Sequence, residues 1–148
     1  MTFRGLAVFA LVALSATAVP ALAGEGLLDV NTASAEELAA LPHMTAETVK
    51  QLDAARPFGS AVDLNAALAA AGLSAEQAAE LYARAFVQVN LNTASEAEFL
   101  LIPGVGHKMA HEFDEYRPWK SREQFEREIG KYVDEAEVAR LWRYVVIP

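Results

Sequence analysis

The sequence has 148 residues, no cysteine and a formal net charge of −8 at pH 7. A chain of this length holds one medium-sized domain or two small ones, and without cysteine it has no disulfide framework and no cysteine-linked lipid anchor. The acidic balance works against nonspecific attraction to a polyanion, so nucleic-acid binding would require a local basic patch.

The N-terminal residues have the pattern of a signal peptide. Arg4 precedes an almost continuous apolar stretch at residues 5–18, Pro20 follows it, and Ala21-Leu22-Ala23 has the small-x-small form that signal peptidase recognises. Because the apolar stretch is too short to span a bilayer comfortably, we expect a cleaved signal peptide at residues 1–23 rather than an uncleaved anchor. The mature chain is then exported without membrane insertion, most simply to the periplasm, although a thylakoid lumen fits the same pattern.

The remainder of the chain contains an internal repeat. The segment from Leu28 to Ser34 (LDVNTAS) recurs 61 residues later, from Val89 to Ser95 (VNLNTAS). The same shift gives ten identities in the 37 positions of residues 28–64 without a gap, which chance does not plausibly supply. Self-similarity at a fixed spacing indicates a repeated structural unit, so we predict two units, at residues 24–88 and 89–148.

Signals for helix starts recur in both units. Ser34 and Ser95 each precede a glutamate by three positions, which is the capping box in which hydroxyl and carboxylate satisfy free amide groups at a helix start. Apolar residues follow at helical spacing, so we predict an all-α fold with four short helices in each unit. The predicted helices span residues 35–41, 45–55, 61–71, 75–86, 96–102, 107–117, 122–129 and 135–144.

Short apolar runs lie beside the helices. Val30, Val87, Val89 and residues 145–147 are consistent with extended segments, but the runs are too short to predict a sheet. The linker between the units, residues 86–92, lacks the Gly/Ser composition of a flexible chain. We therefore expect the two units to pack against each other.

The segment at residues 102–108 (IPGVGHK) has the strongest chemical signal. Gly104 and Gly106, on either side of Val105, permit positive φ angles and leave no Cβ over the backbone amides. The turn leads directly into a predicted helix, whose free N–H groups and positive dipole end can bind an anion. Val105 is predicted to pack into the core, and Lys108 to reach an adjacent phosphate. A plain tight turn between two packed helices is the alternative.

These motifs resemble the helix-hairpin-helix family of the competence protein ComEA and, more distantly, the extrinsic photosystem II protein PsbU. The resemblance covers residues 28–148 and is strong at residues 89–117, where NLNTAS is followed by a short helix and IPGVGHK. It implies tandem helix-hairpin-helix units and a periplasmic receptor that binds double-stranded DNA without sequence preference and helps to retract it during uptake. Hairpin amides and nearby lysines hold backbone phosphates in that family. The candidate phosphate-binding residues are accordingly Gly104, Val105, Gly106 and Lys108, with His107 included at the helix start.

The first unit departs from this pattern. Its equivalent segment, residues 42–47 (PHMTAE), lacks both glycines and has Glu47 at the position of Lys108. A carboxylate there repels a phosphate. The second turn of each unit, at residues 72–74 and 130–134, also departs from the Gly-apolar-Gly form. At most one hairpin in four keeps the full pattern, so we expect any DNA contact to be made by the second unit.

Basic residues are concentrated in the second unit. Residues 24–88 carry nine acids and three bases, whereas residues 89–148 carry eleven acids and eight bases. If they lie on the hairpin face, three of these bases would support phosphate binding: Lys120, Arg122 and Lys131. Helical spacing also permits ion pairs that would remove such a patch, including Glu123 with Arg127, and a solvated surface explains most of these charges equally well.

Other candidate sites have weaker signals. His107 and His111 are four residues apart, a spacing that can present two metal ligands, but no third ligand is clearly placed and we predict no metal and no cofactor. No nucleophile motif, Walker loop or metalloprotease signature is present, so we expect no enzymatic activity. Four aromatic residues could stack on single-stranded bases, although packing explains them better: Phe58, Trp119, Tyr132 and Trp142.

Two functions remain open on these observations. The glycine hairpin and Lys108 favour an exported DNA-binding protein, and we favour it narrowly. The acidic first unit and the altered hairpins favour an extracytoplasmic structural or protein–protein interaction module that has lost DNA binding. The resemblance to PsbU implies that this fold can serve such a role.

The signal-peptide prediction gives a defined N-terminus. We expect the exported protein to begin at Gly24, because Ala21-Leu22-Ala23 follows a short apolar stretch. Mass spectrometry of the protein purified from a periplasmic extract measures this directly. Recovery of the chain with Met1 intact in the membrane fraction would contradict the prediction.

Overall fold

The computed structural model describes residues 22–23 and 26–148. Most of the predicted signal peptide, residues 1–21, and Gly24 of the predicted cleavage site therefore lie outside the described residues. No helix in the described part of the chain is long and apolar enough to cross a membrane.

The described residues form eight helices in two sets of four, which confirms the predicted all-α fold. The helices are α1 (Ala35–Ala39), α2 (Ala46–Ala55), α3 (Ala61–Ala70), α4 (Ala75–Tyr82), α5 (Glu96–Phe99), α6 (His107–Glu115), α7 (Arg122–Ile129) and α8 (Glu135–Trp142). The predicted starts agree with the structure to within one residue. The predicted ends of α2 and α7 are correct, whereas those of the other six helices are late by one to four residues. The largest difference is at α4, after which the chain enters a short strand.

Side chains cap almost every helix start. The serine hydroxyls of the two predicted capping boxes, Ser34 and Ser95, and that of a third at Ser74 each accept a hydrogen bond from the amide three residues later, and the residue-three side chain bonds back. Thr45, Ser60, Ser121 and Asp134 also cap through their side chains. Among the eight helices described, only α6 begins without a side-chain cap.

Short strands join the beginning of each unit to its end. The strands are β1 (Leu22–Ala23), β2 (Leu27–Asp29), β3 (Ala85–Phe86), β4 (Val89–Asn90) and β5 (Val145–Val146). β2 pairs in parallel with β3, and β4 pairs in parallel with β5, while β1 is antiparallel to β2. The expectation that these runs are too short for a sheet is wrong. The four helices of a unit form the crossover that parallel pairing requires, and the packed helices hold the two ends together.

An asparagine in each repeat links distant backbone. The Asn92 side chain donates to the Trp119 carbonyl at 2.9 Å and accepts from the Trp119 amide at 2.7 Å. Asn31 makes the same two bonds with Phe58, at 3.0 and 2.7 Å. We call each set of bonds the asparagine clamp. Both clamps connect the turn after the first strand of a unit to the connection between its second and third helices.

An arginine reinforces each clamp. Arg117 donates to the carbonyls of Leu91 and Ala94, both at 2.6 Å, and its counterpart Arg56 donates to Ala33 at 2.5 Å. Each arginine precedes a proline through a cis peptide bond. Arg117 therefore holds the scaffold together: its Nε and Nη2 donate to backbone, and its Nη1 donates to the Asp114 carboxylate at 2.6 Å.

The two units pack against each other, as expected from the linker. The rings of Phe86 and Tyr144 are 5.3 Å apart at their centroids, and the Tyr144 hydroxyl donates to the Tyr82 carbonyl at 3.0 Å. The Gln88 side chain donates to the Arg143 carbonyl at 3.1 Å. One hydrophobic cluster of buried residues runs through both units. The linker is therefore part of the core.

The asparagine clamp predicts a stability effect. Asn92→Ala leaves both the amide and the carbonyl of Trp119 without their partner, which should lower the free energy of unfolding by about 1–3 kcal/mol. Urea unfolding of the purified protein measures it. Thr93→Ala, at an exposed neighbouring position, is the control and should change little. Equal stability of the two variants would show that the clamp contributes nothing.

Candidate functional site

The segment between α5 and α6 is a tight turn closed by its own backbone. Gly104 has a φ of +81°, and the Val105 amide donates to the Ile102 carbonyl at 3.0 Å. Gly104 thus supplies the left-handed backbone that the turn needs after Pro103. The Val105 side chain is 8% exposed and packs into the core as predicted. Because the Val105 amide is bonded to Ile102, it is not available to a ligand. Val105 contributes to the candidate site by holding the turn in position.

Gly106 has a different role from Gly104. Its φ is −102° and its ψ is 178°, which is extended backbone, so the expectation of a positive φ on both sides of Val105 is wrong at this position. The turn needs only one left-handed residue, after which the chain is extended into the helix start. A Cβ added at Gly106 would meet nothing within 4 Å. The glycine therefore leaves open space in front of the first amides of α6.

The start of α6 offers free hydrogen-bond donors. Gly106 is its N-cap and has no side chain to accept from the helix amides. Within the described residues, the amides of Gly106, His107 and Lys108 have no hydrogen-bond partner. Unpaired amides and the positive end of the helix dipole together form a favourable place for an anion.

The equivalent position in the first unit is closed. Thr45 replaces Gly106, and its hydroxyl oxygen accepts from the Thr48 amide at 3.1 Å, so the helix supplies its own acceptor. His43 occupies the position of Gly104 with a φ of +62°, and its Nε2 lies 2.6 Å from the Glu80 carboxylate. The turn has kept its shape without glycine. The amides of Thr45, Ala46 and Glu47 have no partner among the described residues either. The two helix starts therefore differ in the next amide, which is bonded to the Thr45 hydroxyl at Thr48 and has no acceptor at Met109.

Lys108 lies beside the open amides. Its side chain is exposed and has no ion-pair partner in the described part of the chain. His107, next to it, is also exposed, and its Nδ1 lies 2.8 Å from the Glu96 carboxylate. The predicted residues Gly106, His107 and Lys108 are therefore together at one exposed helix start, with one acidic side chain at its edge.

The three supporting bases differ in their partners. Arg122 is paired with Glu126 at 2.7 Å, and Lys131 is paired with Glu128. The Lys131 hydrogen bond is the main cause of the lowered pKa of the Glu128 carboxyl. The Lys120 side chain has no ion-pair partner among residues 26–148. Lys120 is thus the supporting base whose charge is not already matched by an acid.

One expected ion pair is replaced by another. The spacing of Glu123 and Arg127 permits a pair between them, but Arg127 lies 2.9 Å from Glu128. Glu128 thus accepts from Arg127 and from Lys131. One carboxylate on α7 therefore matches two bases, and less positive charge remains for an anion than the composition of the second unit implies.

Arg140 was not anticipated as part of this site. From α8 its Nη2 donates to the Pro103 carbonyl at 2.7 Å, and the guanidinium is also bonded to Glu137 at 2.7 Å. A Cβ at Gly104 would lie 3.0 Å from the same Nη2. Arg140 therefore fixes the turn against α8, and it explains in part why residue 104 is glycine. A contact 37 residues away along the chain leaves no local sequence signal.

Most side chains considered for metal binding or base stacking have partners within the protein. His111 lies 3.5 Å from Glu115, and the described residues contain no group of three or more potential metal ligands. Of the four aromatic residues considered for stacking, Trp119 and Phe58 are buried, and Trp142 is half-buried against Phe125. Tyr132 is the exposed member of the four, at 41%.

Comparison with known families gives one match. The model of the helix-hairpin-helix motif matches residues 84–130, about a third of the chain, and motifs of this kind are generally found in nucleic-acid-binding proteins. The matched segment contains α5, the turn, α6 and α7, and so includes the open helix start. Neither the curated proteins nor the solved structures gave a match to the chain.

The two glycines should respond differently to alanine. Gly104→Ala places a Cβ in a left-handed backbone and 3.0 Å from Arg140, so we expect a loss of about 1–2 kcal/mol in unfolding free energy. Gly106→Ala has extended backbone and open space, so it should be close to neutral. Urea unfolding of both variants compares them. A larger loss at Gly106 than at Gly104 would contradict the assigned roles.

Proposed function

We propose that the protein binds double-stranded DNA without sequence preference, through backbone phosphates held by the second unit. The observation that carries this proposal is the uncapped start of α6, which lies inside the segment matched by the helix-hairpin-helix motif. A phosphate oxygen is the acceptor that the free amides of Gly106, His107 and Lys108 lack. The proposed site residues remain Gly104, Val105, Gly106, His107 and Lys108, with Gly104 and Val105 shaping the turn.

Absence of sequence preference follows from the chemistry of this site. Amides and a lysine that contact phosphate position the protein on the duplex but do not distinguish base pairs. Lys108 adds one positive charge beside the amides, whereas Lys120 follows the opposite end of α6. Since Arg122 and Lys131 are matched by acids, few cationic contacts are available. We expect a shallow salt dependence, with a log–log slope of about −2 to −4 at ~0.9 per phosphate neutralised.

We propose further that the protein acts outside the cytoplasm and is not an enzyme. The signal-peptide pattern at residues 1–23 supports export, most simply to the periplasm. The resemblance to the ComEA family supports a role in DNA uptake, in which a receptor holds any duplex regardless of its sequence. A site that contacts only the DNA backbone suits that role, because the receptor must accept every incoming sequence.

Protein binding through the first unit is the second candidate function. The observation that supports it is the capped start of α2, where the Thr45 hydroxyl occupies the place of an anion. The unit also carries nine acids and three bases. Such a unit repels DNA and is suited to a basic protein partner. The two functions are compatible, since they use different units.

Lys108 and Glu47 occupy equivalent positions and make a matched pair of variants. Lys108→Gln should weaken binding to all duplex sequences alike and make the salt slope shallower by about 0.9, because one phosphate contact is lost. Glu47→Gln, in the closed unit, should leave the slope unchanged. Fluorescence anisotropy with two unrelated duplexes at several salt concentrations measures both effects.

The variant Gly106→Val tests the contribution of the α6 amides separately from that of the Lys108 charge. A branched side chain in front of the α6 amides should weaken duplex binding in the same titration, while the salt slope keeps the Lys108 contribution. If the wild-type protein shows no duplex binding at low salt, the DNA proposal is wrong, and protein binding by the first unit replaces it.

A further inference from the structure

A small groove separates the two hairpins of the second unit. It has a volume of about 240 Å³ and is lined by Gly106, Lys108, Met109, Glu112 and Tyr132. We call it the Tyr132 groove. One end is the open start of α6, and the other is the turn between α7 and α8 that carries Tyr132. Its volume is below the roughly 300–1,000 Å³ of pockets for drug-sized ligands, which suits a single small ring.

Glu112 has an unmet hydrogen bond at this groove. The residue is 8% exposed, and its Oε2 is buried without a partner within the described part of the chain. A buried carboxylate oxygen without a donor is costly, because the group has lost water and gained nothing in its place. A ligand in the groove with an N–H donor would supply the missing bond. The last side-chain torsion of glutamate is broad, so the carboxylate can tilt toward such a donor.

Tyr132 presents an aromatic surface at the same place. It is 41% exposed, and its hydroxyl lies 3.0 Å from that of Tyr116. The hydrogen bond with Tyr116 is the largest cause of a pKa of Tyr132 above its ordinary value. This bond holds the phenol in place, so the exposed ring is a fixed stacking surface. Lys131, paired with Glu128, lies 5.1 Å from the Tyr116 ring centroid on the same hairpin.

These features together specify a ligand with three chemical parts. The α6 amides and Lys108 require an anion, the exposed Tyr132 ring favours a planar group, and Glu112 Oε2 requires an N–H donor. We propose that the Tyr132 groove binds an unpaired nucleobase adjacent to the phosphate held at α6, so that the protein prefers DNA containing an unpaired nucleotide to continuous duplex. This inference rests on the proposed DNA-binding function and adds the form of DNA to it.

The chemistry of the bases supports this choice. The amino groups of cytosine and adenine donate hydrogen bonds, and a glutamate carboxylate accepts from the cytosine N4 amino group. In continuous duplex one hydrogen of each amino group is paired and the other faces the major groove, and a stacked base cannot also lie on the Tyr132 ring. A base outside the stack can be held by an aromatic ring and by hydrogen bonds to its free edge.

Three probes of equal length test the proposal: a continuous duplex, a duplex with one bulged cytosine, and a duplex with an abasic nucleotide in the bulge. We expect the full protein to bind the cytosine bulge at least about fivefold more tightly than either other probe, as one stacked base implies. Tyr132→Leu, which removes the ring, and Glu112→Met, which removes the hydrogen-bond acceptor, should each reduce this ratio. Tyr132→Phe keeps the ring but loses the bond to Tyr116, so it should retain more of the ratio than Tyr132→Leu.

The remaining outcomes separate this inference from the proposed function. Equal affinity for all three probes overturns the base-binding groove and leaves duplex binding intact, whereas no binding to any probe overturns both. Equal affinity for the cytosine and abasic bulges shows a preference for flexible DNA and also overturns the groove. If Glu112→Met raises affinity for all probes equally, Glu112 only repels phosphate and the inference fails. Lys108→Gln should weaken binding to all three probes alike.

Discussion

Two hydrogen bonds from one asparagine side chain connect the beginning of each unit to its middle. Helices of four to ten residues are too short to be stable alone, so this fold depends on contacts between segments distant in sequence. Asn92 provides such a contact by satisfying both backbone groups of Trp119, which lies 27 residues away. Arg117 extends it to Leu91 and Ala94. The turn before α6 is positioned on this frame, and so is the site.

The same frame supports two different helix starts. The turn before α2 and the turn before α6 both contain one left-handed residue, His43 in the first unit and Gly104 in the second. They differ in the next cap, where Thr45 bonds to its own helix and Gly106 does not. A single hydroxyl therefore decides whether the third amide of the helix, that of Thr48 or Met109, has a partner within the protein. Divergence between the repeats has changed this local feature while the clamps, caps and strand pairs remain common to both.

Much of the fold was predictable, because helix caps and apolar spacing are local signals. The repeated NTAS segment identified the starts of α1 and α5, and the Val105 side chain packs as expected. Strand pairing was missed, because two-residue strands are stabilised by helices packed around them and not by their own length. The bond from Arg140 to Pro103 and the pairing of Arg127 with Glu128 were missed for a related reason. Side-chain partners depend on tertiary geometry, which residue spacing alone does not determine.

Free backbone amides would reconcile the acidic composition of this protein with the proposed DNA ligand. Most of the attraction to DNA in basic proteins comes from many cationic side chains, but here Arg122 and Lys131 are matched by carboxylates. The amides at the start of α6 carry no net charge, and a phosphate gains hydrogen bonds and the helix dipole there without requiring a basic surface. Such a site acts only at contact distance, since the net charge of −8 repels DNA from farther away. Binding would then depend on the shape of one turn, which Arg140 and Gly104 maintain, more than on the number of surface lysines.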